Sequence, residues 1–187
     1  MIRHIRPALV SMGLFTVLLG LGYPLAVTGV GQAAFPFRAG GSLLRDDQGR
    51  VIGSALIGQG FAEPKYLHPR PSAAGDGYDA SASSGSNMGP LNADLAGRVK
   101  TRADALRAEA PGQPIPADAV TASGSGLDPD ISPAYARLQA ARIAKARGLN
   151  VNQVQTVIEN ETEKPLLGFI GQARVNVLAV NRALDKL

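Results

Sequence analysis

Residues Pro7–Phe37 read PALVSMGLFTVLLGLGYPLAVTGVGQAAFPF, a run with no Asp, Glu, Lys or Arg. An apolar helix of about 20 residues, rising 1.5 Å per residue, already crosses a bilayer core. This run is longer, so it is expected to tilt or to rest one end among the headgroups. In hydrocarbon each backbone N–H and C=O must find its partner within the segment, so the run should be helical. Gly20, Gly22 and Pro24 lie near its middle and mark a place to bend. A cleavable signal has an apolar region of about 7–15 residues, and this run is roughly twice that. Although Gly31-Gln32-Ala33 resembles a small-residue cleavage site, the run is read as an uncleaved anchor over 7–34.

Outward from the anchor, Arg3 and Arg6 precede it with no acid beside them. Basic residues stay in the cytoplasm, so residues 1–6 are expected to be a cytoplasmic tail and 38–187 a single extracytoplasmic domain. Removing Arg3 and Arg6 from the 19 basic residues leaves 17 against 15 acidic ones. That near-balance carries no electrostatic footprint for nucleic acid. The chain has no Cys, which excludes disulfides and thiolate chemistry. With no Trp, five Phe and four Tyr, the core must be aliphatic, and 22 Gly with 13 Pro predict a loop-rich fold.

Gly41–Gly58 reads as a β-hairpin, with Leu43-Leu44 and Val51-Ile52 flanking the turn signal Asp46–Gly49 and Ala55–Ile57 extending the second strand. Gln59–Pro90 is rich in Gly, Ser and Pro, yet Phe61, Tyr66, Leu67 and Tyr78 punctuate it, which suits an ordered loop laid over a core. Asn92 caps a helix reaching about Ala110, and Pro116–Val120 suits a short helical turn. Ser132-Pro133 opens a helix to Arg147 closed by Gly148, and Asn150 caps another over Val151–Glu161. Leu166–Ile170 suggests a short strand, and Arg174–Leu187 a last helix with Val177, Val180, Leu184 and Leu187 on one side. The fold class is α+β: one transmembrane helix, then a mainly helical domain with a small β element. Ala82–Pro90 and Ala122–Pro129 echo one another as Ser/Gly runs ending in Pro.

Few constellations carry chemistry. The Ser/Gly loop before the 132–147 helix could offer backbone N–H groups to an anion or simply make a tight connection. Asp128 and Asp130 beside it would repel a phosphate unless turned away, and no GxxxxGK[ST] run exists. No serine sits in GxSxG or SxxK, and His68 is the only histidine beyond the anchor. A membrane-anchored periplasmic serine hydrolase built on His68 is therefore the alternative to a non-catalytic accessory protein. No His, Cys or carboxylate cluster has metal-ligand spacing, so no metal is expected.

The motifs as a set resemble one family along nearly the whole chain. They are RPAL at Arg6–Leu9, YPL at Tyr23–Leu25, GSALIGQGF at Gly53–Phe61 and KYLHPRPSA at Lys65–Ala73. They continue with SGSNMGPLN at Ser84–Asn92, TASGSGLDPDISP at Thr121–Pro133, ARIAKARGL at Ala141–Leu149 and RVNVLAVNRALD at Arg174–Asp185. This pattern is similar to the KdpC family, the C subunits of Kdp potassium-transporting ATPases. The resemblance implies a bacterial inner-membrane complex importing K⁺ at the expense of ATP. Its expected partners are a channel-like subunit, a P-type ATPase subunit, a small single-span subunit and membrane lipid, with no nucleic acid. It implies an accessory subunit, not an enzyme, described as a catalytic chaperone that raises the ATP affinity of the ATPase subunit. ATP as its own ligand would fall, by the same resemblance, on Ser123, Gly124, Ser125, Gly126 and Gln139. ATP is cytoplasmic while the domain is expected outside, so the topology favours an indirect effect.

Overall fold

The computed structural model describes residues 2–187. Met1, part of the expected 1–6 tail, lies outside the described residues. After a 3₁₀ turn at Ile2–His4, helix α1 (Ile5–Phe15), a π-helical stretch (Thr16–Gly22) and α2 (Tyr23–Ala34) run on as one 30-residue helix, long and apolar enough to cross a membrane. Its π-helical middle holds Gly20 and Gly22 and ends just ahead of Pro24. In a regular α-helix the proline ring would press on the carbonyl four residues back. Here Tyr23 N–H instead donates to Leu18 O, five residues back, and the wider turn just ahead of Pro24 relieves the clash. None of the side chains in the span is buried.

Phe35 interrupts the helix, and a single turn, α3 (Pro36–Ala39), follows. The chain divides into two compact units between Ile52 and Gly53. Around this point β1 (Leu43–Arg45) and β2 (Val51–Ser54) form the expected hairpin. Asp46 closes its turn, accepting from the N–H groups of Gln48 and Arg50 and pairing with the Arg50 guanidinium at 2.8 Å. Ala55–Ile57 does not extend the strand. The Ser54 hydroxyl accepts from Leu56 N–H and turns the chain away.

Residues 59–92 carry little regular structure yet are pinned to the core, with Leu67 and Ala74 fully buried. Helix α4 (Ala93–Glu109) starts at Asn92, whose side chain accepts from the N–H groups of Asp94 and Leu95. A 3₁₀ turn at Ala117–Ala119 precedes β3 (Asp130–Ile131). Then come α5 (Pro133–Leu138), α6 (Ala140–Arg147) and α7 (Val151–Asn160). After β4 (Thr162–Glu163) and β5 (Arg174–Asn176), α8 (Val177–Leu184) ends the fold. The sheet is antiparallel with order β3-β5-β4, and Val175 lies opposite both Ile131 and Thr162.

Three expectations are corrected. The 132–147 helix is broken at Gln139, whose buried side chain has another task described below. Arg174–Asn176 is the central strand and not the first turn of the last helix, because Asn176 caps α8 by accepting from Ala179 N–H. Leu166–Ile170 is no strand but a tight turn closed by one bridge between its ends.

The core is aliphatic as composition requires. Leu67, Ile143, Val154, Ile158, Val175, Val180 and Leu184 are essentially inaccessible, and among the described residues Tyr135 is the one buried aromatic. Left-handed Gly148 ends α6, and Asn150 with Gln153 forms a reciprocal capping box for α7. At α5 the Ser132 hydroxyl accepts from Tyr135 N–H (3.0 Å) and donates to Asp118 (3.0 Å). Ser132→Ala deletes both bonds and should cost about 1–2 kcal/mol in urea unfolding. No measurable loss would mean that this cap does not hold α5.

Candidate functional site

The two Ser/Gly runs that echo each other in sequence are packed together. Ser84 N–H and the Ser83 hydroxyl both donate to Ser125 O, at 3.0 and 2.9 Å. The Ser72 hydroxyl donates to Gly126 O at 2.7 Å and accepts from the N–H groups of Ala74 and Tyr78. Gly126 has φ +68°, and a Cβ there would lie 2.6 Å from Ser84 O and 2.7 Å from Ala74 N, so only glycine fits. Ser123 is buried and Ser125 exposed, their hydroxyls 3.5 Å apart. Gly124 is open, with nothing within 4 Å of a Cβ built on it.

The carboxylates beside this loop are engaged. Asp128 pairs with Arg70 at 2.9 Å, and Asp130 pairs with Arg174 at 3.2 Å and accepts from the Asn176 amide. Burial pushes the Asp130 carboxyl above the usual range despite these partners. Arg70, Asp128, Asp130, Asp118, Ser132 and Arg174 line a cleft of about 540 Å³. Among the described residues no group of three His, Cys, Asp or Glu side chains is placed to hold a metal ion.

Ser123–Gly126 thus form one contiguous loop, whereas Gln139 bonds to a different stretch. Gln139 is 2 % exposed. Its Oε1 accepts from His68 N–H (2.8 Å) and its Nε2 donates to His68 O (3.0 Å), closing a two-bond ring with the main chain. One residue earlier the buried Asn181 does the same to Leu67, with Oδ1 accepting from N–H at 2.7 Å and Nδ2 donating to O at 3.0 Å. Two side-chain amides, from α8 and the α5–α6 junction, therefore pair with the N–H and C=O of consecutive residues. Asn181 lies within the RVNVLAVNRALD motif, which gave it no individual role; its place on the otherwise apolar face of α8 is the clue.

Two arginines complete the clamp on this segment. Arg142 donates to the carbonyls of Pro64 (2.6 Å) and Tyr66 (3.0 Å) and to Gln139 Oε1 (2.6 Å). Arg147 donates to Lys65 O and Leu184 O, pairs with Asp185 at 2.7 Å and lies over the Tyr66 ring. Lys65–His68 is thus held through its backbone.

The His68 ring belongs to the same assembly. Its Nε2 is 3.1 Å from Glu63 O and 3.4 Å from the Arg142 guanidinium, and no serine hydroxyl is among its partners in the described residues. The serine hydrolase reading finds no support in this geometry. Burial, then the adjacent Arg142 charge, holds the imidazole pKa below its usual value, with Glu63 O and Glu109 opposing. The unfolded chain therefore takes up the proton more readily. Stability should be complete above about pH 6.5 and fall as pH drops from there through the lowered folded pKa. His68→Gln should flatten that part of the stability–pH profile, and an unchanged slope would remove His68 as its source.

The family model described as "K+-transporting ATPase, c chain" matches residues 5–186. The chain is 73 % identical over 185 residues to a potassium-transporting ATPase KdpC subunit of Caulobacter sp. (strain K31), covering 99 % of this chain and 94 % of that protein. It is 57 % identical over 185 residues to the KdpC subunit of Cereibacter sphaeroides (strain ATCC 17029 / ATH 2.4.9), with 99 % and 98 % covered. With the KdpC subunit of Mycobacterium tuberculosis (strain ATCC 25177 / H37Ra) it shares 55 % identity over 188 residues, covering 99 % of both chains.

Proposed function

Because the chain belongs to the KdpC family, the c chains of K⁺-transporting ATPases, we propose that it is the non-catalytic accessory subunit of an ATP-driven potassium uptake complex. The observation that carries this reading is the match along 5–186 to a transporter subunit, joined to a 30-residue helix long and apolar enough to cross a membrane. On this reading it assembles with a channel-like subunit, a P-type ATPase subunit and a small single-span subunit. Arg3 and Arg6 support a cytoplasmic N-terminus in the inner membrane, which puts residues 38–187 in the periplasm. A single span with no Asp, Glu, Lys, Arg or His from Pro7 to Ala34 offers no ion path of its own, so transport falls to the partners.

The proposed influence on nucleotide affinity is indirect, a coupling of about 1–3 kcal/mol carried through the membrane helices. Alkaline phosphatase fused after Leu187 tests the orientation: activity is expected, and an inactive but stable fusion would reverse it. Titrating ATP into the full-length chain in nanodiscs tests the indirect route, for which no saturable heat is expected. Should ATP bind at Ser123–Gly126 instead, Gly124→Ala is the discriminating variant. Its methyl meets nothing in the fold but stands on the open side of that loop. Saturable binding lost in Gly124→Ala would replace the indirect account with a direct site.

A further inference from the structure

The turn between β4 and β5 carries the most concentrated apolar surface of the second unit. Leu166, Leu167, Phe169 and Ile170 are 68, 76, 77 and 49 % exposed. Four large apolar side chains in five residues exceed the scattered exposure normal for a folded surface. From Pro165 to Ala173 the sequence PLLGFIGQA has no ionisable group. At the stem, Glu163 and Arg174 face each other in register and pair at 2.5 Å, and Arg174 also pairs with Asp130 at 3.2 Å, so the one cation there is already matched by carboxylates.

The turn is also closed by its own backbone bonds. Leu166 and Ile170 exchange both backbone bonds, at 3.0 and 2.9 Å, while Gly168 N–H donates to Pro165 O and Phe169 N–H to Leu166 O. Leu167 and Gly168 are both left-handed, with φ +54° and +83°. A bulky leucine is disfavoured in that conformation, and this one reaches no core. Its side chain is held outward on a closed turn.

We propose that Leu166–Ile170 is a docking plug that enters an apolar pocket on a companion subunit of the same transporter, outside the bilayer. This rests on the subunit reading above. Two observations favour a protein pocket over lipid. Interfacial lipid binding draws on basic residues beside the apolar ones, whereas here Lys164 stands near Glu159, Glu161 and Glu163 and the tip is uncharged. A fluid bilayer does not reward a fixed shape, whereas a shaped pocket does, because a preformed plug loses little freedom on binding. A few side chains seated in fully desolvated pockets carry most of the energy of a protein interface, so a compact tip is enough to dock.

The test co-expresses the tagged full-length chain with its companion subunits. Leu167→Asp/Phe169→Asp alters exposed positions, and aspartate enters the left-handed region more readily than leucine, so the melting temperature should match the parent. Retention of companion subunits, identified by mass spectrometry, should fall about tenfold or more. Phe169→p-benzoylphenylalanine in the assembled complex should give on irradiation an adduct with one companion subunit. Full retention by the folded double variant, an adduct with lipid alone, or no adduct in an intact complex would each overturn the plug. Failure of the unmodified chain to retain any companion would instead remove the subunit reading, and the plug with it.

Discussion

Val180→Asp should destabilise the second unit by about 3–5 kcal/mol, enough to leave a marginal domain largely unfolded. Val180 has no accessible surface and sits mid-way along α8, where Val177 and Leu184, on the same side, are 3 % and 1 % exposed. Helix α8 packs on α7 and β5, where Val154, Ile158 and Val175 are equally inaccessible, and none of these neighbours can pair with a carboxylate. The buried acid can escape only by taking a proton, which raises its folded pKa. A raised carboxylate pKa means stability is lost as pH rises, so the deficit should be smaller at about pH 4 than at about pH 8. Val180→Ala separates charge from volume: two carbons lost at about 0.8 kcal/mol each, plus a small cavity, give about 2 kcal/mol with no pH dependence. If Val180→Asp were no worse than Val180→Ala across that pH range, α8 would not be packed as described.

What could be read without the structure divides along a physical line. Helix starts were legible because a cap is local chemistry: Asn92, Ser132 and Asn150 each lie next to the N–H groups they satisfy. The long N-terminal helix was legible because an unbroken apolar run of that length is enough to predict it. The sheet was not, because strands of two or three residues show no alternation, and β3 meets β5 across more than forty positions of chain. The break at Gln139 was hidden for the same reason. Only its pairing with His68, 71 residues away, gives that side chain a reason to be buried. In the Ser/Gly loop composition left a tight connection and an anion cradle both open, and Gly126 shows the tight connection: close packing against Ser84 and Ala74.

Asn181→Ala should cost about 2–5 kcal/mol although it removes no apolar contact of any size. It strands the N–H and the C=O of Leu67, both buried, and each unsatisfied group costs about 1–3 kcal/mol. Leu67 is itself fully buried, so its peptide unit cannot turn to water without withdrawing that side chain from the core. Asn181→Asp discriminates this account from simple loss of packing. A carboxylate still accepts from Leu67 N–H but faces Leu67 O with a second acceptor, whereas a protonated carboxyl can donate there. That variant should therefore approach parental stability at about pH 4 and fall below Asn181→Ala near pH 8. Gln139→Ala acts on the adjacent peptide, so the double variant Gln139→Ala/Asn181→Ala should cost less than the two singles added together. Once Leu67 is released, the His68 peptide unit has already lost the neighbour that kept it in place. Strict additivity, or an Asn181→Asp variant indifferent to pH, would show that the two amides do not act as one clamp on Lys65–His68.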